Sequence, residues 1–256
     1  MKMSGNTILI TGGGSGIGRA LAEAFQAAGN QVIITGRRQS ALDETTRANP
    51  GMAAYAFDVE DPASIQRLAE QVAKDHPSLN VLINNAGIMQ AEIVTDPKHV
   101  AVAEATIAIN LLGPIRLTSA LLPLLLKQKA STLMTVSSGL AFPPLAINPT
   151  YSATKAAIHS WSQSLRFQLR DTPVRVIELV PPYVQTELQG ARQASDPMAM
   201  PLADFISEVL GLLETTDSGE ILVERVKAQR FAERSGDYDN FFTTMNEHFM
   251  AMRKDW

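Results

Sequence analysis

Short apolar runs alternate with longer helix-like stretches through the first 180 residues of the chain. The runs at Thr7–Thr11, Gln31–Thr35, Ala53–Phe57, Asn80–Ile83, Thr132–Val136 and Val174–Val180 have strand length and are mostly apolar. Helix-like stretches lie between them, near 17–28, 39–48, 62–75, 97–127 and 151–170. Asp61-Pro62 and Asp96-Pro97 each read as an N-cap followed by a first-turn proline, and Ala28-Gly29-Asn30 closes the first helix. With a last strand at Glu220–Val223, this alternation predicts an α/β fold: a doubly wound parallel sheet of about seven strands with helices on both faces. The last sixty residues depart from the pattern. Gln185–Pro201 reads as a mobile loop with a short helix, part of a substrate loop at about 185–205, and the extension at about 226–256 ends in a helical tail, Phe231–Trp256. No linker or repeat interrupts the chain, so residues 1–256 are expected to form one domain.

Composition narrows the function. The 256 residues are 45% apolar and 19% charged, with a net charge of −4 and no dense Lys/Arg run, which argues against a nucleic-acid partner. The chain has no cysteine, which excludes disulfides, thiolate metal sites and a Cys nucleophile, and fits a reducing, cytoplasmic setting. Met1–Asn6 leads straight into a strand, so no signal peptide is expected. The most apolar stretch, Ile107–Leu126, contains Asn110, Pro114, Arg116 and Pro123, which predicts a buried, kinked helix and no membrane partner. The histidines at 76, 99, 159 and 248 lack metal-ligand spacing, so no metal is expected.

Four features carry chemistry. Thr11-Gly12-Gly13-Gly14-Ser15-Gly16-Ile17-Gly18 joins the first strand to the first helix, where backbone can approach a pyrophosphate and a helix N-terminus offers N–H donors. An NAD site would place an acid about twenty residues on. The second strand instead runs into Arg37 and Arg38, whose guanidinium groups suit a 2′-phosphate, with Ser15 as a helper; the alternative is solvated loop arginines. Tyr151 and Lys155 lie four apart on a helix, so one lysine charge could lower the phenol pKa unless burial cancels it; a plain solvated face has the same spacing. Pro114 has no N–H, so the Asn110 carbonyl four residues earlier lacks its helical partner and could hold a water, or the pair could simply kink the helix.

These residues, with Asp58-Val59, Asn84-Asn85-Ala86-Gly87 and Ser137-Ser138, occur in the order of the short-chain dehydrogenase/reductase family, which the chain resembles over about residues 6–188. The resemblance implies a single Rossmann domain that binds NADP(H) and acts on a small carbonyl or alcohol substrate, as a homodimer or homotetramer. Carried onto matching positions, it makes Asn110, Ser138, Tyr151 and Lys155 the catalytic set. Tyr151 would be the acid/base, Ser138 (or its neighbour Ser137) would hold the carbonyl oxygen, and Lys155 would bind the nicotinamide ribose and depress the tyrosine pKa. Gly12, Gly14, Ser15, Gly16, Ile17, Gly18, Arg37, Arg38, Asp58, Val59, Asn85, Ala86, Gly87, Pro181, Val184 and Thr186 would join Tyr151 and Lys155 around the cofactor, with Asn84 lining its ribose region. One departure is Pro182, where the family usually has glycine. Its fixed φ alters the local loop. The Val180-Pro181-Pro182 turn and Glu224-Arg225-Val226 also resemble one branch of oxidoreductases, some encoded beside teichoic-acid alanylation genes. Phe142, Leu145, Tyr183 and Met198 are candidates for an apolar substrate pocket, or for ordinary core. The expected activity is reversible NADPH-dependent reduction of a ketone or aldehyde. A 3-oxoacyl-carrier reductase, with Arg192 meeting the carrier, and a non-catalytic NADP(H)-sensing regulator are the other readings.

Overall fold

Successive residues of a strand face opposite sides of a sheet, and the first strand uses both: Ile8 and Ile10 enter one core, Leu9 the other, and all three are fully buried. The computed structural model describes residues 1–252; residues 253–256 of the expected tail lie outside the described residues. Seven strands form one parallel sheet: β1 (Thr7–Thr11), β2 (Gln31–Gly36), β3 (Ala53–Ala56), β4 (Val81–Asn84), β5 (Ser131–Val136), β6 (Val174–Val180) and β7 (Glu220–Leu222), in the order β3-β2-β1-β4-β5-β6-β7. The helices are α1 (Gly16–Ala27), α2 (Gln39–Ala48), α3 (Pro62–Asp75), α4 (His99–Ile107), α5 (Gly113–Leu126), α6 (Pro149–Gln168), α7 (Ala191–Ala194), α8 (Leu202–Thr215), α9 (Lys227–Arg230) and α10 (Tyr238–Met252). One core joins Leu21 and Phe25 of α1 to Phe205, Val209 and Leu213 of α8; the other joins Leu68 and Val72 of α3 to Leu117, Leu121 and Leu125 of α5. This is the doubly wound arrangement that the alternation predicts. The chain winds outward from β1 in one direction and from β4 in the other, which opens a crevice at the carboxyl ends between these neighbours.

The structure revises several local expectations. Asp61 does cap α3, accepting from the Ala63 N–H at 2.9 Å with Pro62 in the first turn. Asp96-Pro97 does not open a helix: Asp96 accepts from the Lys98 N–H at 3.0 Å in a separate turn, and α4 starts at His99. The stretch expected as one kinked helix near 97–127 is continuous from His99 to Leu126 but contains a π-helical turn, Ala108–Leu112. Pro114 cannot donate an N–H, and the wide turn lies just before it. By length and composition this run could cross a membrane, yet Leu117, Leu121 and Leu125 are packed against the sheet. The loop at 185–201 contains the short α7 as expected, but α8 follows it immediately, an unpredicted helix that supplies core residues. The tail is helical in pieces, with Gly236 in a left-handed conformation (φ 78°) before α10.

Candidate active site

The turn after β1 is built by two kinds of glycine. Gly12 has φ 68°, a conformation that side-chain-bearing residues rarely adopt. A Cβ on Gly18 would run into the Asn85 amide and the Gly12 carbonyl, so α1 can lie this close only with glycine there. Asn85 locks the same turn to the end of β4: its Nδ2 donates to the Thr11 carbonyl at 2.9 Å, while the Asn85 and Ala86 N–H groups both donate to Thr11 Oγ1 at 3.0 Å. Ser15 stands at the N-cap of α1 in extended conformation and makes no side-chain cap bond, so the first N–H groups of the helix are left without a side-chain acceptor. Gly16 lies against Thr186, whose Cβ would be 3.6 Å from a Cβ on the glycine, which brings the loop after β6 over the turn. Ile17 packs on the core beside them.

A cleft of about 190 Å³ opens from this turn, lined by Gly12, Gly14, Ser15, Arg37, Arg38, Val59, Ala86 and Gly87 among others. Arg38 donates to Ser15 Oγ at 3.3 Å, and Arg37 reaches Glu60 only at 3.5 Å across an exposed surface. The glycine-lined wall, the uncapped helix end and two guanidinium groups at the rim fit a dinucleotide. Asp58 accepts from the Glu60 N–H at 3.0 Å and so shapes the rim at Val59. Asn84 turns its amide away, donating to Thr118 Oγ1 at 2.9 Å in the buried α5 layer, so its side chain does not line the crevice. Past β6, the Pro181 carbonyl accepts from Gly139 at 2.9 Å, Val184 bridges to Met200, and Gln193 donates to the Val184 carbonyl at 2.8 Å and to Thr186 Oγ1 at 3.2 Å. Pro182 therefore sits in a loop that its neighbours hold on both sides.

The four expected catalytic residues converge at the carboxyl edge of the sheet. Tyr151 and Lys155 are buried on one face of α6, with the ammonium 5.5 Å from the phenol ring centroid. Ser138 follows β5 by two residues and caps the short turn Gly139–Ala141; its Oγ accepts from the Leu140 N–H at 3.1 Å, and its hydroxyl is hydrogen-bonded to Tyr151. Lys155 Nζ donates to the Val136 carbonyl at 2.8 Å. Asn110 is buried in the π turn, where its side chain clasps Ile88 from both sides: Oδ1 accepts from the Ile88 N–H and Nδ2 donates to the Ile88 carbonyl, each at 2.9 Å. The same amide reaches Thr154 on α6 at 3.4 Å, so Asn110 ties the loop after β4 to the helix that carries the tyrosine.

The electrostatics correct one expectation. Lys155 was expected to depress the Tyr151 pKa. Burial instead pushes the phenol up to about 12, and the Ser138 hydrogen bond offsets only part of that. Burial also pulls Lys155 down to about 8, against the attraction of Glu178. Desolvation opposes both charged forms and outweighs a cation held 5.5 Å from the ring. Ser137, the second-ranked neighbour, donates to Glu178 at 2.5 Å and faces away from the tyrosine's partner. Sequence reading did not single out Glu178. A lone carboxylate in the strand run Val174–Val180 was the available signal. Of the pocket candidates, Leu145 is buried, Phe142 packs edge-on to His159, Tyr183 donates to Asp196 at 3.0 Å, and Met198 is exposed.

Comparison with known proteins agrees with this geometry. The short chain dehydrogenase family profile matches residues 6–197. The chain is 42% identical over 251 residues to "Uncharacterized oxidoreductase DltE" of Bacillus subtilis (strain 168), an alignment that covers 96% of this chain and 98% of that one. A short chain dehydrogenase from Burkholderia cenocepacia J2315, solved with NADP, superposes with TM-score 0.81 at 24% identity, over 96% of this chain and 99% of that one. A short chain dehydrogenase/reductase from Burkholderia phymatum, solved with NAD, gives 0.80 at 19%, over 93% and 96% of the two chains. The chain belongs to the short-chain dehydrogenase/reductase family, oxidoreductases whose fold binds a nicotinamide cofactor.

Proposed function

We propose that the chain is an NADPH-dependent carbonyl reductase that converts a ketone or aldehyde to an alcohol, with Tyr151 as the acid. The observation that carries this reading is the meeting of Ser138, Tyr151 and Lys155 beside a glycine-lined cleft with two arginines at its rim. When bound, the cofactor supplies the hydride for the carbonyl carbon. Arg37 and Arg38 hold the 2′-phosphate that distinguishes NADPH from NADH. The two solved neighbours hold different cofactors, so this preference rests on the arginines. Lys155 has three donors and gives one to Val136, leaving two for ribose hydroxyls. Ser138 is fixed by the Leu140 N–H, and its one proton, given to Tyr151 in this structure, turns to the substrate oxygen when a carbonyl enters.

A protonated Tyr151 suits the acid step of reduction. A phenol near 12 is fully protonated at neutral pH and so is loaded to donate. It remains a far stronger acid than an alcohol, whose pKa is close to that of water, about 15.7. Proton transfer to the alkoxide is therefore downhill, and oxidation runs through the same proton in reverse, with the phenolate as base. General acid catalysis of this kind contributes about 10²–10⁴-fold. The test is NADPH oxidation over a panel of ketones, aldehydes and 3-oxoacyl thioesters, with NADH in parallel. Substrate-dependent loss of NADPH, at least about tenfold faster than that of NADH, is expected. Tight NADPH binding with no turnover on any member would instead favour a cofactor sensor, and activity confined to carrier thioesters would mark a 3-oxoacyl reductase.

A further inference from the structure

A carboxylate with no exposed surface lies one layer behind the catalytic lysine. Glu178, in the middle of β6 and opposite Thr135 of β5, accepts from Ser137 Oγ at 2.5 Å and faces His159 Nδ1 at 2.8 Å. His159 is one helical turn beyond Lys155, as Lys155 is one turn beyond Tyr151, so the three share a face of α6. Ser137 is the residue next to Ser138. The carboxylate is thus fastened to both elements that carry the site, and neither fastening touches the reacting atoms.

We propose that Glu178, oriented by His159 and Ser137, is a positioning residue whose buried negative charge keeps Lys155 an ammonium. The charged groups around it support this. Besides Lys155 and His159 on α6, the facing groups are Glu220 on β7 and Arg230 on α9, with Arg166 of α6 acting on Glu220. Arg230 forks onto both Glu220 oxygens, at 2.7 and 3.1 Å, and this neutralises the second carboxylate. The fork also takes the Glu220 oxygens that a metal ion on His159, Glu178 and Glu220 would require. Glu178 is therefore left as the counter-charge for the lysine. Burial drives Lys155 down, and Glu178 is the group that opposes this. An opposite charge within about 4–6 Å typically moves a pKa by 1–3 units.

The meaning of this assignment rests on Lys155 serving the reductase site, but its test does not. Lysine ¹³Cε NMR of the whole chain, with the Lys155 signal identified by its loss in Lys155→Met, follows the ammonium directly. Glu178→Gln keeps the shape of the side chain but loses its charge, and it should raise the Lys155 acid dissociation constant about tenfold or more. Glu178→Asp should restore most of that change. If Glu178→Gln does not fold, Glu178→Met, which fills much of the same volume without a charge, should raise the Lys155 acid dissociation constant in the same way. A Lys155 titration unmoved by Glu178→Gln, or by Glu178→Met where that variant is used, overturns the proposal even if carbonyl reduction is established. A shifted Lys155 in a chain with no reductase activity would keep the electrostatic assignment and remove only its catalytic meaning.

Discussion

Two residues at the active edge titrate in opposite directions, and this fixes what pH should do. Lys155 is a cation below about 8 and loses its charge above it, while Tyr151 keeps its proton to about 12. If Lys155 holds the cofactor, NADPH affinity is constant at neutral pH and falls as the pH rises through about 8, with no step from the tyrosine below pH 10. A fluorescence titration of NADPH against pH reads this; affinity that stays flat to pH 10 would remove Lys155 from the binding set. Arg37 gives a second residue-scale prediction. It is half-exposed and held only by a 3.5 Å contact with Glu60, so Arg37→Ala should leave folding unchanged. Loss of one charge-assisted hydrogen bond, about 1.5–3 kcal/mol, should cut the NADPH-over-NADH preference by roughly 10- to 150-fold. That the glycine turn, the two arginines, Tyr151 and Lys155 gather at one edge was legible, because residue type and spacing announce it. The tyrosine's raised pKa was not, since burial depends on how α6 is covered.

At the scale of elements, the π turn before Pro114 is the clearest case of local sequence setting site geometry. Pro114→Ala restores the missing N–H, lets the helix close its ordinary bond to the Asn110 carbonyl, and removes the reason for the wide turn. Thermal stability should hold or rise, while turnover falls because Asn110 can no longer clasp Ile88. Unchanged turnover would reduce the proline to a structural detail. Elements were otherwise legible to within a residue or two at β1, β2, β6 and α1, where apolar runs end in Gly or Pro signals. α8 was missed although Phe205, Val209 and Leu213 recur at helical spacing, because Pro201 and the methionines before it read as loop. The pairing of Glu178 with His159 had no sequence signal, since only the seating of α6 across β5 and β6 brings them together.

Across the whole molecule, the sheet edge that holds the site is roofed by the C-terminal segment. Asn246 of α10 is buried and bridges a distant loop, accepting from the Ala146 N–H at 2.6 Å and donating to the Pro144 carbonyl at 3.1 Å. Tyr238 reaches the Phe142 carbonyl at 3.4 Å, and Phe249 packs edge-on to Tyr183 with centroids 5.7 Å apart. α10 therefore braces the loop that carries Phe142 and Leu145 and the one that carries Tyr183, and makes no contact with the glycine turn in these interactions. Asn246→Ala leaves a backbone N–H unsatisfied, a loss of about 1–3 kcal/mol in that brace. It should raise KM for the carbonyl substrate while leaving the Kd for NADPH unchanged; a parallel rise in both would mean that the tail supports the whole fold.

The central claim is that Tyr151 delivers a proton at a reductase site assembled on the carboxyl edge of the sheet. Single-turnover reaction of 4-deuterated NADPH with the best carbonyl substrate tests it directly, comparing the parent chain with Tyr151→Phe. Deuterium should appear on the carbinol carbon with the parent, and its rate of transfer should drop by about 10²-fold or more in the variant while NADPH binding is retained. Transfer at an undiminished rate in Tyr151→Phe would contradict the account.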